Sequence, residues 1–247
     1  MKRAFIGVLL ILIVACKEKP PKKLSAQEIV DKSIRISGGE LYANRNTSFE
    51  FRNRKYVSQH IDGKKTLKRI SKLDSVTILD IKTNNSFQRF IKDTLVNLPD
   101  SISNRYANSV NSVHYFARLP FGLNDGAVNK TLLGEESING KIYYKIKVTF
   151  NQAGGGDDFD DTYVYWFNKE TFKPDYLAYD FHVDGGGQRF REAYNERYVN
   201  GIRFVDYNNY KPQTRGSDIL DIGKLFEKGE LDLLSKIELS KVTVTEN

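Results

Sequence analysis

With 247 residues and a hydrophobic content of 40%, the chain is long enough to bury the core of one large β domain. Its 38 basic and 31 acidic residues give a formal charge of +7 that is spread along the chain, which argues against a nucleic-acid-binding surface. Since the chain has a single cysteine, an internal disulfide, a cysteine-based metal cluster and thiol catalysis are all excluded.

The first residues have the pattern of a targeting segment. Lys2 and Arg3 precede Ala4–Val14, an apolar run of about eleven residues that is too short to span a bilayer. The next residues, Ile13-Val14-Ala15-Cys16, resemble the lipobox of bacterial lipoproteins. That resemblance implies cleavage before Cys16 and acylation of this residue. The alternative is an ordinary secretory signal that ends at a cysteine by chance.

These patterns divide the chain into three parts. We expect a lipoprotein signal peptide over residues 1–15 and a flexible tether over residues 16–24, because Lys17–Lys23 is charged and contains two prolines. Residues 25–247 are expected to form a single domain.

Two helices are predicted. Ser25 and Glu28 have the spacing of a capping box, and Gly38-Gly39 would end the helix that starts there. The segment Pro99–Ala117 is the second helix, with apolar residues at helical spacing and a proline where the first turn tolerates it.

The rest of the chain has the period of two that is typical of strands. Asn139-Gly140 and Asn200-Gly201 predict type I′ hairpin turns, and Lys141–Phe150 alternates apolar and polar residues, so Ile142 and its even-numbered neighbours should face the core. The loop Leu119–Gly126 is apolar and expected to be exposed. The four strands predicted before the second helix are Ser48–Ile61, Lys64–Leu73, Val76–Lys82 and Ser86–Lys92. The tail is predicted to be helical over Ile219–Leu234 and to end in a strand over Lys236–Thr245.

The layout resembles the lipoprotein carriers LolA and LolB and the mycobacterial lipid-binding lipoproteins. The matching parts are Ser37–Gly39, Leu119–Phe121, Leu133–Tyr144 and Tyr163–Pro174. The resemblance implies a mainly β (α+β) fold, a curved antiparallel half-barrel of about eleven strands, with both helices packed on its concave side.

A second resemblance concerns the glycine-rich segments. Gly154–Asp161 and Gly185–Glu192 are similar to a family of Bacteroidota outer-membrane lipoproteins. Because lysine rather than acidic residues follows Cys16, the resemblance implies an outer-membrane location facing the periplasm.

Topology predicts one rim for these segments. In an antiparallel meander alternate connections lie at the same edge, so 151–161, 184–187 and 211–218 should meet. The rim would carry four carboxylates that could bind Ca²⁺, a cation that prefers several oxygen ligands on a flexible loop. They belong to Asp157, Asp158, Asp160 and Asp161. Alternatively, these aspartates pair with the arginines of the strand Arg189–Val199.

Several aromatic and polar residues are candidates for contact with a ligand on the concave face, although in a closed core the aromatic ones would only pack. They are Tyr144, Tyr163, Tyr165, Trp166, His182, Arg189, Arg191 and Tyr194.

The functional prediction is a lipid-anchored binding protein of the cell envelope. Its partners would be the membrane, through the anchor, and a hydrophobic or amphiphilic ligand such as an acyl chain, a lipid or a lipoprotein. The common hydrolase and nucleotide-binding motifs are missing, so we expect no catalysis and no required cofactor. Two alternatives stay open: an enzyme or metal-assisted binder at the rim 154–161/184–192, and an envelope adaptor that uses Leu119–Leu123 as a protein contact.

Overall fold

A computed structural model describes residues 23–61, 64–153, 159–182 and 185–246. Within these residues the chain forms fourteen strands, which make two seven-stranded antiparallel sheets. In chain order the strands are β1 (Arg45–Phe51), β2 (Arg54–Ile61), β3 (Lys64–Leu73), β4 (Val76–Lys82), β5 (Phe87–Ile91), β6 (Thr94–Val96), β7 (Val128–Ile138), β8 (Lys141–Phe150), β9 (Tyr163–Asn168), β10 (Pro174–Phe181), β11 (Gly187–Val199), β12 (Ile202–Pro212), β13 (Leu231–Ile237) and β14 (Ser240–Glu246).

The first sheet has the order β14-β1-β2-β3-β4-β5-β6, and the second has the order β13-β12-β11-β10-β9-β8-β7. The mainly β class and the open, curved antiparallel sheets confirm the predicted fold class. The consecutive strands β13 and β14 lie in different sheets, so the short connection between them joins the two sheets. Asp206 fixes this connection, because its carboxylate accepts a hydrogen bond from the backbone N–H of Leu239 at 2.9 Å.

Two of the three strands beyond the expected eleven arise because two hairpin turns lack glycine, and the third is β13 in the tail. Arg52 and Asn53 both have positive φ, +48° and +60°, and so do Lys92 and Asp93, at +48° and +61°. These are the backbone angles of a type I′ turn, which the sequence signals clearly only when Asn-Gly or a similar pair is present. The single predicted strand Ser48–Ile61 is therefore the hairpin β1–β2, and β5 pairs with the additional strand β6.

In the part of the chain that the structure describes, four α-helices accompany the sheets: α1 (Ala26–Ile36), α2 (Leu41–Asn44), α3 (Asp100–Ala117) and α4 (Ile222–Glu227). The predicted capping box is confirmed, since Ser25 accepts from the backbone of Glu28 and the Glu28 carboxylate accepts from the backbone N–H of Ser25. The predicted second helix is α3. In the tail, α4 and β13 replace the single helix that was expected over Ile219–Leu234. None of the helices in the described residues has the length and apolar character needed to cross a membrane.

The inner core lies between the two sheets and contains the main helices, as the prediction of helices on the concave side required. Ile29 and Val30 of α1 are fully buried there, and α3 contributes Phe116 and Ala117. Two strand residues that meet these helices are Phe49 of the first sheet and Tyr165 of the second. Burial of such side chains stabilises the fold by roughly 1.5–3 kcal/mol each.

A second core covers the outer face of the second sheet, where α4 packs. Trp166 and Phe190 are completely buried in it, and Phe226 of α4 stacks on Phe190 with ring centroids 4.6 Å apart. The second sheet is therefore apolar on both faces. In β8 the even-numbered residues from Tyr144 to Phe150 face the inner core as predicted. Ile142 does not, since it is 45% exposed, and its odd-numbered neighbour Tyr143 is 1% exposed in the second core.

A buried ionic network fastens α3 to the first sheet. The Asp80 carboxylate contacts the guanidinium groups of Arg69 and Arg89, each at 2.7 Å, and Arg69 also donates to Ser109 of α3 at 2.8 Å. All three charged side chains are largely or fully buried, so each needs its partner to offset the loss of hydration.

The loop after α3 is part of the inner core rather than an exposed contact. Leu119 is 4% exposed and Leu123 is 0% exposed, and Phe121–Asn124 forms a 3₁₀ turn. The expectation of an exposed apolar loop was wrong, because α3 ends against the sheets and carries the following residues into the core.

Candidate binding interior and rim

The predicted rim is confirmed within the described residues. His182 follows β10 and approaches Asp161, which precedes β9, with the imidazole Nδ1 3.4 Å from the carboxylate. Gln188 at the start of β11 exchanges two hydrogen bonds of 2.8 Å with Ser217, which follows β12. The three connections therefore meet at one edge of the second sheet.

Two of the four candidate aspartates meet His182 in a compact cluster. One ligand atom from each of Asp160, Asp161 and His182 lies within 4.8 Å of the others, and Asp161 is buried while the other two are exposed. Asp157 and Asp158 lie outside the described residues. Two carboxylates and an imidazole are the ligand types of Zn²⁺ or Mn²⁺ sites, whereas Ca²⁺ prefers oxygen ligands alone.

The two arginines of the rim strand point toward aromatic rings. The Arg189 guanidinium lies 4.8 Å from the Phe181 ring. Arg191 donates to the Tyr179 hydroxyl at 3.0 Å and lies 5.1 Å from the ring of Phe116 on α3. Neither arginine forms an ion pair with Asp160 or Asp161 in the described part of the chain. Pairing with Asp157 and Asp158, which lie outside the described residues, stays a prediction.

Aromatic side chains form a wall on the inner face of the second sheet. Tyr163 stacks on Tyr165 and on Tyr179, with centroid distances of 6.3 and 5.1 Å, and the hydroxyl groups of Tyr165 and Tyr115 are 3.3 Å apart. Burial raises the pKa of Tyr115 to about 12 and the pKa of Tyr165 well above its usual value. Both phenols are therefore neutral hydrogen-bonding groups at physiological pH.

The wall opens toward the rim. Tyr165 in the middle of β9 and Phe167 near the end away from the rim are 0% exposed. Tyr163 at the rim end is only partly buried, and so are Phe150 and Phe181 on the neighbouring strands. Solvent therefore reaches aromatic surface at this end of the inner face.

The candidate ligand contacts do not all lie on this wall. Tyr144, Tyr163 and Tyr165 belong to the inner core or pack against it. Arg191 lies on the same side of the sheet, because its guanidinium group is near the ring of Phe116. Trp166 points the other way into the outer core, and Tyr194 also lies on the outer face, where its hydroxyl donates to Glu238 at 2.8 Å. Neighbouring strand residues face opposite sides, so a set chosen by residue type mixes the two faces.

A basic cluster was not predicted. His60 of β2 and Lys65 of β3 are directly opposite each other, and His114 and Arg118 lie four residues apart along α3 and its end. Burial, helped by the charges of Arg118 and Lys65, lowers the pKa of His114 to about 3. Burial and the Arg118 charge also lower the pKa of Lys65 to about 8, although Asp125 acts in the opposite direction. The signal in the sequence that could have indicated this cluster is the spacing of four residues between His114 and Arg118, which places both on one side of the helix.

Residues 2–239 match the Family of unknown function (DUF6503). The chain belongs to this family. No curated protein matches its sequence. Among solved structures, a LolA superfamily protein from Nitrosomonas europaea is similar, with a TM-score of 0.52, 13% identity, and coverage of 91% of this chain and 96% of that one. A DUF1329 family protein from Desulfovibrio piger has a TM-score of 0.50 and 13% identity, covering 89% of this chain and 92% of that one. At these identities the likeness concerns the fold alone.

Proposed function

We propose that this DUF6503 chain is a lipid-anchored binding protein of the cell envelope that holds a hydrophobic or amphiphilic ligand without chemistry. The ligand is an acyl chain, a lipid or the acylated end of a lipoprotein. The observation that carries the proposal is the aromatic wall on the inner face, which is closed at Tyr165 and opens at the rim through Tyr163. Ligand pockets combine apolar walls with a few polar groups in this way.

Binding is tested directly with the full chain. Lipids extracted from the purified protein and identified by mass spectrometry should include a defined acyl species, and the delipidated protein should bind the neutral fluorescent probe N-phenyl-1-naphthylamine. Replacing Tyr163 by Ser removes aromatic surface at the open end of the wall and should weaken probe binding about tenfold, which corresponds to about 1.4 kcal/mol.

Tyr198→Ser is the matched control, because Tyr198 is an exposed tyrosine, 47% accessible, that lies outside the inner core. Equal effects of the two substitutions, or a protein that carries no lipid and binds no probe, would contradict the proposal.

The anchor is the second part of the proposal. The anchor is supported by the lipobox pattern that ends at Cys16. The resemblance of the glycine-rich segments to Bacteroidota lipoproteins favours a location in the outer membrane, facing the periplasm. Cells fed radiolabelled palmitate should label the wild-type protein and not Cys16→Ala, which should also leave the membrane fraction. Protection from external protease in intact cells tests the orientation. Labelling that persists in Cys16→Ala would refute the anchor.

A metal-assisted function at the rim is the second candidate, because Asp160, Asp161 and His182 bring three ligand atoms together. Calorimetric titration with Zn²⁺, Mn²⁺ and Ca²⁺ tests it. His182→Asn should remove a Zn²⁺ or Mn²⁺ signal, whereas Asp74→Asn, in an exposed turn of the first sheet, should leave the signal intact. A flat titration with all three ions would eliminate this candidate.

A further inference from the structure

Four basic side chains converge on the inner face of the first sheet. His60 and Lys65 form a cross-strand pair between β2 and β3, so their Cβ atoms are about 4.5–5.5 Å apart. They share their face with Tyr56, because alternate residues of a strand point to the same side. His114 of α3 packs on this face, with its ring 5.6 Å from that of Tyr56, and Arg118 follows on the same side of the helix.

The two cations of the cluster have no salt-bridge partner among the described residues. In the described part of the chain neither Lys65 nor Arg118 forms an ion pair within 4.0 Å. Arg69, on the same face of β3, differs, because its guanidinium group lies 2.7 Å from the buried Asp80 carboxylate. The acidic residue that raises the pKa of both Lys65 and Arg118 through its charge is Asp125, and Asp125 is exposed to solvent.

The two histidines do not relieve this imbalance. The Nδ1 atoms of His60 and His114 are both buried and have no hydrogen-bond partner among the described residues. The His114 Nε2 contacts the backbone carbonyl of Lys68 at 3.1 Å, so Nε2 carries the proton and donates. Both rings have a lowered pKa and are neutral at pH 7, so the charge of the cluster comes from Lys65 and Arg118.

Such an arrangement costs stability, because partly buried like charges repel and lose hydration. The shift in the pKa of Lys65 to about 8 has the same two causes. Groups that are unfavourable for the fold by itself are found preferentially at binding sites, where a ligand offsets the cost.

Apolar side chains of the inner core lie next to these charges. The Arg118 guanidinium lies 5.1 Å from the ring of Phe121, and that ring stacks on Tyr42 with centroids 5.2 Å apart. Tyr42 is 3% exposed and belongs to the inner core. A molecule that touched both regions would need a charged end and an apolar body.

We infer that Lys65 and Arg118 bind the anionic headgroup, a carboxylate or a phosphate, of the amphiphile whose apolar part the inner core holds. The planar guanidinium of Arg118 can form two parallel hydrogen bonds to either group, and the ammonium group of Lys65 acts as a compact second charge. This inference rests on the proposed function and adds the chemical class of the ligand to it.

The test compares three competitors that have the same alkyl chain. Dodecanoate, dodecyl phosphate and dodecanol are titrated against N-phenyl-1-naphthylamine bound to the delipidated full chain at pH 7. We expect the two anions to compete at least tenfold better than the alcohol. In the double variant Lys65→Gln/Arg118→Gln this preference should vanish while the affinity for dodecanol stays within twofold.

Lys72→Gln is the matched control, since Lys72 is an exposed lysine of the same strand that points to the outer face. Arg118→Lys keeps the charge and should retain part of the preference, which separates headgroup binding from a general loss of structure. Circular dichroism spectra of the four proteins should coincide.

The outcomes separate the two proposals. Equal affinity of the three competitors for the wild-type protein overturns the headgroup inference and leaves the proposed function intact. If neither the probe nor any competitor binds, both proposals fall. Inorganic phosphate alone should compete weakly. Phosphate could instead bind to the wild-type protein and not to the double variant, while the alkyl anions do not bind. In that case the site is one for free anions, and the inference is overturned.

Discussion

Acid should destabilise this protein through His114. The imidazole is 1% exposed and packs against Phe49 and Tyr56, with two cations nearby. A proton added to this ring would be buried and repelled, which is why its pKa falls from 6.5 to about 3. The unfolded chain, in contrast, takes up the proton at the ordinary value.

The magnitude follows from proton linkage. Between pH 6.5 and pH 3 the unfolded state binds one proton that the folded state does not, so stability falls as pH falls. Above pH 6.5 the free energy of unfolding is not reduced by His114. Below pH 6.5 it falls by about 1.4 kcal/mol per pH unit. Lowering the pH from 7 to 5 should therefore cost about 2 kcal/mol through His114 alone.

The variant His114→Phe isolates this effect. Phenylalanine retains the aromatic packing but loses the hydrogen bond to the carbonyl of Lys68, which should cost about 1 kcal/mol at pH 7. Urea unfolding at pH 7, 6 and 5, followed by the fluorescence of the single, buried Trp166, gives the free energies. Between pH 7 and pH 5 the wild-type protein should lose about 2 kcal/mol more than the variant.

Leu73→Ala serves as the control, because Leu73 is 65% exposed and carries no titratable group. It should change the pH dependence by less than about 0.5 kcal/mol, as surface substitutions usually do. If the wild-type protein and His114→Phe lost the same free energy on acidification, the reasoning about the buried imidazole would be refuted.

Three further predictions concern the ionic network, a backbone position and the basic cluster. Asp80→Asn leaves two buried arginines without their carboxylate and should lower the free energy of unfolding by roughly 3–5 kcal/mol, measured by urea titration. Gly38→Ala should lower the melting temperature and cost roughly 3 kcal/mol, because φ is +111° and the added Cβ would lie 2.7 Å from a backbone carbonyl oxygen. The advantage of dodecanoate over dodecanol should shrink between pH 7 and pH 9.5, because Lys65 loses its proton near pH 8 while Arg118 stays charged.

Each of these has a control in the same chain. Asp74→Asn, in an exposed turn, should change stability by less than about 0.5 kcal/mol. Gly140→Ala also places alanine at positive φ, +73°, but its Cβ would meet nothing within 4 Å, so its cost should stay near 1–2 kcal/mol. Lys65→Gln should bind dodecanoate with the same affinity at both pH values, and a pH dependence that persisted in this variant would contradict the assignment to Lys65.

The two main helices and the Asn-Gly turns were predictable because their signals are local. The capping box at Ser25, the spacing of α3 and the turn at Asn139-Gly140 depend on residues within a few positions of one another. The meander of the second sheet followed from such turns, and the convergence of its loops at one rim followed from the meander.

Other features depended on residues far apart in the sequence. The alternation of Tyr165 and Trp166 predicts two opposite faces, but only the packing of α4 makes the outer face a second core. The pairing of β14 with β1 joins the two ends of the domain and has no local signal. Arg52-Asn53 shows that a tight hairpin can form where no glycine announces it.

The basic cluster illustrates the same limit at the level of function. The sequence by itself places a histidine and an arginine on one face of α3, and a histidine and a lysine at the ends of two paired strands. Only the tertiary structure brings the helix onto that sheet face and, within the described residues, leaves Lys65 and Arg118 without an ion pair. Local spacing determines which side chains of one element share a face, whereas the packing of elements distant in the chain decides what those side chains meet.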